Sequence, residues 1–139
     1  MGSGIAQVSA QIAKRNVLLM DANPKALEKS LAAMDSLLQK QVAKGKVTDE
    51  ERVATMSRIK PVSSLSELKD ADFVVEAATE NTDLKLNIFK SLDEVVAPDV
   101  ILATNTSSIS ITKIGSATKR PDKVIGMHFV CFSLSPDSS

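Results

Sequence analysis

"MGSGIAQVSAQIAKRNVLLMD" (Met1–Asp21) carries the reading on which the fold turns. Apolar Ile5, Val8 and Ile12 and small Ala6, Ser9 and Ala13 recur at helical spacing, which predicts a helix over residues 3–14. Its small side chains allow close approach to a sheet. "NVLLMD" (Asn16–Asp21) is a short apolar run closed by an acid, the pattern of a buried strand with a polar C-terminal end. Gly2 and Gly4 stand at the helix N-terminus, where glycine lets a pyrophosphate approach exposed amides at the positive end of the helix dipole. Asp21 follows Gly2 by nineteen residues. A carboxylate there can accept hydrogen bonds from both ribose hydroxyls of an adenosine, and it repels a 2′-phosphate. A full dinucleotide fingerprint needs two earlier glycines. "MGSG" therefore suits a flexible N-terminus equally well, and Asp21 suits a solvated acid opening a turn.

The remaining chain repeats this alternation. Asn23-Pro24 supplies an N-cap and a first-turn proline, and Leu27, Leu31, Met34, Leu37, Leu38 and Val42 continue at helical period up to Gly45. Thr48 and Glu51 predict a capping box for a short helix through Met56. Residues 59–70 are mixed, with "SLSEL" as a single helical turn. "DFVVEAA" (Asp72–Ala78), "VILATN" (Val100–Asn105) and "VIGMHFV" (Val124–Val130) read as further buried strands. Between them lie an amphipathic helix through Leu84, Ile88, Phe89, Leu92, Val95 and Val96 and a short helix over 110–118. Strands alternating with helices imply an α/β fold with a parallel sheet. Ligands of such sheets sit at the carboxyl ends of the strands. The polar residues to weigh are therefore Asp21, Glu76, Glu80, Asn105, Ser107 and His128.

Composition narrows the partners. Seventeen Lys and Arg balance seventeen Asp and Glu, so no net field favours nucleic acid or an anionic membrane. Four Phe with no Trp or Tyr make a base-stacking platform an unsuitable reading. The single cysteine, Cys131, excludes an internal disulfide and fits a reducing, intracellular compartment. No segment is long and apolar enough for a membrane-spanning helix, and the start lacks the pattern of a signal peptide. Lys40, Lys44 and Lys46 read as a solvated helix face, with contact to an anionic ligand as the alternative.

His128, the only histidine, falls near the end of an apolar strand. Its ordinary pKa of about 6.5 suits a general base for an alcohol proton. A lone histidine on an apolar strand is also a common structural residue. "TNTSSIS" (Thr104–Ser110) offers hydroxyls that bind a ligand or cap the next helix.

Together "MGSGIAQV", "LLMDANPKALEKS", "VAKGKVT", "DFVVEAATEN", "ILATNTSSISIT" and "ATKRPDKVIGMHF" resemble the NAD-binding domain of the 3-hydroxyacyl-CoA dehydrogenase family, 3-hydroxybutyryl-CoA dehydrogenases among them. The resemblance runs from Met1 to Phe129, with twenty-one residues from Ser107 to His128. It implies a Rossmann-type, doubly wound parallel sheet without its first strand over residues 1–130, followed by a divergent tail over 131–139. It implies NAD-dependent oxidation of an L-3-hydroxyacyl-CoA to a 3-ketoacyl-CoA, as in fatty-acid β-oxidation. His128 matches the histidine that takes the hydroxyl proton. Ser107 matches a hydroxyl that binds substrate and approaches the nicotinamide. Gly2 matches the third glycine of the fingerprint and Asp21 the ribose acid. Ala77, Glu80 and Lys85 match positions lining the NAD site. No metal is implied.

The departures set further expectations. The family's first strand and first two glycines would precede Met1, and that strand lies centrally in the sheet. Without it two neighbouring strands each lose a ladder partner. Unsatisfied buried polar groups cost about 1–3 kcal/mol each, so the isolated chain is expected to be marginal. Val130 and Cys131 replace the family's Phe-Asn pair, and "FSLSPDSS" holds no glutamate to orient the histidine. The helical C-terminal domain, through which the family dimerises, has no counterpart here. These features predict weak cofactor binding and no turnover by the chain alone. The alternative reading is an NAD-binding or interaction module without chemistry, from a truncated gene product.

Overall fold

The computed structural model describes residues 2–78, 80–106 and 108–127. Helix α1 (Gly2–Gln11) buries Ile5, Ala6 and Ala10, whereas Val8 and Ile12, expected on its apolar face, are exposed. Strand β1 (Val17–Met20) follows. Helix α2 (Pro24–Ala43) begins where Asn23 Oδ1 accepts the Lys25 and Ala26 N–H groups. It stops before Gly45, whose φ of 71° is a left-handed conformation that glycine adopts without strain. Thr48 Oγ1 accepts the Glu51 N–H and opens α3 (Asp49–Ser57), whose first turn carries Asp49, Glu50 and Glu51 at the positive end of the dipole.

Strand β2 (Ile59–Val62) is an element the residue pattern did not announce. Its sequence, IKPV, contains a proline and no alternation: Ile59 and Val62 are buried while Lys60 and Pro61 are exposed. Pairing on β1 alone makes it an edge strand, where a residue without an N–H is tolerated. The single helical turn is present as a 3-10 turn over Leu65–Leu68, tied down by Glu67 Oε2, which accepts the Ser63 and Ser64 N–H groups. Strand β3 (Phe73–Glu76), helix α4 (Thr82–Val95), strand β4 (Ile101–Thr104), helix α5 (Ile111–Gly115) and strand β5 (Val124–Gly126) complete the order. Pairing continues one residue past β5, where the Met127 N–H donates to the Thr104 carbonyl at 3.0 Å. The expected strand over 124–130 is thus described only to 127, and the tail over 131–139 lies outside the described residues.

All strand pairs are parallel, in two sheets: β1–β2, and β3–β4–β5. Among the described residues β1 and β3 each have one partner, and Leu18 and Phe73 on them are partly exposed. The two sheets are joined by side chains instead of a ladder. Val62 of β2 belongs to one buried cluster with Val74, Phe89, Leu92, Leu102 and Val124, and Met20 of β1 packs against it. A second cluster of Ala10, Met34 and Ile59 seats α1 and α2 on the first sheet. Arg120 closes the far end of α4. Its guanidinium donates to the Asp93 carboxylate and to the Asp93, Val96, Ala97 and Val100 carbonyls, with only 6% of the residue exposed.

Candidate cofactor site

Most of the residues singled out above lie at or just beyond the carboxyl ends of β1, β3 and β4. The first turn of α1 has amides without intrahelical partners, as every helix start does. It is seated beside the end of β3: a Cβ built on Gly2 would stand 3.7 Å from that of Ala77. The small side chains at both positions keep the helix N-terminus close to the loop that leaves β3. Asp21, at the end of β1, is exposed and uses Oδ1 to accept the Asn23 N–H at 2.9 Å. It borders a cavity of about 220 Å³ whose apolar wall is Leu27, Pro61 and Val62. A flat heterocycle can pack there with its sugar hydroxyls toward the carboxylate. Glu67 lines the other margin, and the Ser63 N–H, followed by the Ser64 N–H, holds its carboxyl below the ordinary range.

Two further loops leave β3 and β4. Glu80, in the loop after β3, reaches the loop after β4: its Oε2 accepts the Thr106 hydroxyl at 2.8 Å and the Ser108 hydroxyl at 2.7 Å. The Ser108 and Thr106 hydroxyls, with Lys85's charge adding to them, lower the Glu80 pKa despite some desolvation. Beneath these loops lies a buried ionic cluster. Lys85 Nζ donates to both oxygens of Glu76 and to the Ala78 carbonyl. Glu76 also accepts the Thr104 hydroxyl at 3.0 Å and the Ala78 N–H at 3.2 Å. Lys85 is wholly buried, so its ammonium sits under the site with all three N–H bonds committed. Ser107 and His128 lie outside the described residues. Among the described residues no group of three metal-ligating side chains occurs.

Gly2 thus meets Ala77 after β3, Glu80 follows in the same loop, and Asp21 ends β1 beside an apolar cavity. Comparison with known proteins decides the family. The sequence model of "3-hydroxyacyl-CoA dehydrogenase, NAD binding domain" matches residues 1–132. The chain belongs to this family. Its cofactor is NAD, and the architecture is Rossmann-type. This NAD-binding domain is 46% identical over 129 residues to the 3-hydroxybutyryl-CoA dehydrogenase of Clostridioides difficile, covering 93% of this chain and 46% of that protein. Among solved structures it is similar to the (S)-3-hydroxybutyryl-CoA dehydrogenase of Ralstonia eutropha, with a TM-score of 0.89 and 45% identity over 94% of this chain and 46% of that one. A 3-hydroxybutyryl-CoA dehydrogenase from Escherichia coli K12 gives a TM-score of 0.90 at 42% identity, over 93% of this chain and 27% of that one. The NAD-binding domain thus spans less than half the length of these relatives.

Residue-level reading of the sequence placed Glu76 among the polar strand ends without giving it a role, and read the hydroxyls of Thr104–Ser110 as ligand contacts or helix caps, whereas Thr104 donates to Glu76 and Thr106 and Ser108 donate to Glu80. One signal for the cluster was present. Lys85 stands at the i position of a Lys85, Phe89, Leu92 stripe, on the buried face of α4, where a lysine demands a carboxylate partner.

Proposed function

We propose that this chain is the NAD-binding part of an enzyme that oxidises the 3-hydroxyl of an L-3-hydroxyacyl-CoA. The observation that carries the reading is the approach of Gly2 to Ala77, which seats the start of α1 at the carboxyl end of β3. The α1 amides then hold the pyrophosphate, and Asp21 accepts the adenosine ribose hydroxyls beside the cavity walled by Leu27, Pro61 and Val62. Ala77 and Glu80 line the other half of the site, with Lys85 supporting it from below through the Ala78 carbonyl. NAD, when bound, supplies the hydride acceptor. By family resemblance the His128 imidazole takes the hydroxyl proton as C3 loses its hydride, and the Ser107 hydroxyl hydrogen-bonds the substrate oxygen.

Two assays test this. The purified chain is expected to form no measurable NADH from 3-hydroxybutyryl-CoA and NAD, because the relatives carry as much chain again. Substituted for the matching region of the Clostridioides difficile enzyme, residues 1–129 are expected to support turnover, reduced about 10²- to 10⁴-fold by His128→Ala. A chimera that folds and binds NADH yet oxidises nothing would overturn the proposal.

A further inference from the structure

Glu80 joins the two loops proposed to form the nicotinamide half of the site. A single oxygen, Oε2, accepts from Thr106 and Ser108, residues 26 and 28 positions away. These two flank Ser107 in the sequence. Thr106 Oγ1 does more than donate: it also accepts the Ser108 N–H at 3.4 Å and the Ile109 N–H at 3.3 Å. The carboxylate thus polarises a hydroxyl that in turn holds the Ser108 and Ile109 amides, and a hydrogen bond to an ionised acceptor is the stronger kind. Helix capping does not explain these hydroxyls. The cap of α5 is Ser110, whose Oγ accepts the Lys113 N–H.

We propose that Glu80 is a positioning residue: acting through Thr106 and Ser108, its carboxylate ties the loop after β3 to the loop after β4 and places those two residues beside the nicotinamide end of the cofactor. The proposal rests on the NAD-site reading above and adds a role exerted on the protein, distinct from direct contact with the ligand. Neither hydroxyl is free to turn elsewhere without breaking the tie. The placement of Thr106 and Ser108 is therefore set from outside their own loop.

Calorimetric titration of the chain with NADH and with ADP-ribose, which lacks the nicotinamide, tests the positioning. Glu80→Ala is expected to weaken NADH about tenfold and ADP-ribose by less than about twofold. The Thr106→Val/Ser108→Ala double variant should match it, and the triple variant should be no worse than Glu80→Ala alone. Glu80→Gln keeps an acceptor oxygen and should recover part of the loss. Additive losses, an equal loss for ADP-ribose, or a double variant that binds NADH normally would overturn the proposal. Amide hydrogen exchange without ligand reads the tie itself: Ser108 and Ile109 should exchange about tenfold faster in Glu80→Ala, with Gln intermediate. Unchanged exchange overturns the tie. A wild-type chain that binds neither ligand overturns the cofactor half together with the reading beneath it, and exchange still decides the tie.

Discussion

Lys85 Nζ stands 2.5 and 2.9 Å from the two carboxylate oxygens of Glu76, with 0% and 3% of the two side chains exposed. The pair joins α4 to the end of β3, and Thr104 extends it to β4. Removing one partner of a buried pair strands the other charge, which costs about 3–5 kcal/mol. Lys85→Met is therefore expected to lower the urea midpoint severely or unfold the chain. Glu76→Met/Lys85→Met should recover most of the loss, since an apolar replacement of both is close to neutral. Equal stability of the single and double variants would contradict this account.

Arg120 offers a test of geometry at constant charge. Its planar guanidinium serves four carbonyls and the Asp93 carboxylate at once. A lysine ammonium has three donors on one atom and cannot span them. Arg120→Lys is expected to cost about 2–3 kcal/mol in chemical denaturation, from buried carbonyls left unpaired. A loss below about 0.5 kcal/mol, the range of ordinary surface changes, would show that water replaces those contacts.

The same network sets an acid limit. Burial opposes ionisation of Asp93, but the Lys119 N–H and the Arg120 guanidinium outweigh it and hold the carboxyl below its ordinary 3.8. A depressed carboxylate pKa contributes stability that is present above the unfolded value and lost as pH falls through the folded one. Stability should therefore decline as pH drops below about 4, and Asp93→Asn should show a shallower decline from a lower starting point. Parallel pH curves for the two proteins would assign the acid sensitivity to other carboxylates.

On the proposed reading of the site, Asp21 sets the choice of cofactor. Its exposed carboxylate borders the apolar cavity, and it would face a 2′-phosphate with like charge. Asp21→Asn is expected to weaken NADH about tenfold while weakening NADPH less, so that the preference narrows. Calorimetry with both nucleotides checks this, and an unchanged ratio would remove Asp21 from the ribose site.

The alternation of short apolar runs with periodic helices was enough to read an α/β fold with a parallel sheet. It worked because strands of a parallel sheet are short apolar runs and a helix packed on one side must show its period, although β1, read as buried, has no fully buried residue. The caps at Asn23 and Thr48 were legible for the same reason, since their hydrogen bonds reach only two or three residues along the chain. Strand β2 was not, because IKPV takes its place from pairing with β1 and from burial of Ile59 and Val62, which no local pattern announces.

Within the site, sequence alone determined which chemical groups are present and in what order: Gly2 at a helix start, and Asp21, Glu76 and Glu80 near strand ends. Tertiary structure decided which of them meet. Lys85 and Glu76 are nine residues apart and Glu80 and Ser108 are twenty-eight apart, yet both pairs lie within hydrogen-bond distance. A parallel sheet collects the ends of distant strands on one edge, and only the packing of α4 beneath that edge turns Lys85 inward as a support while leaving Glu80 to join the loops above it.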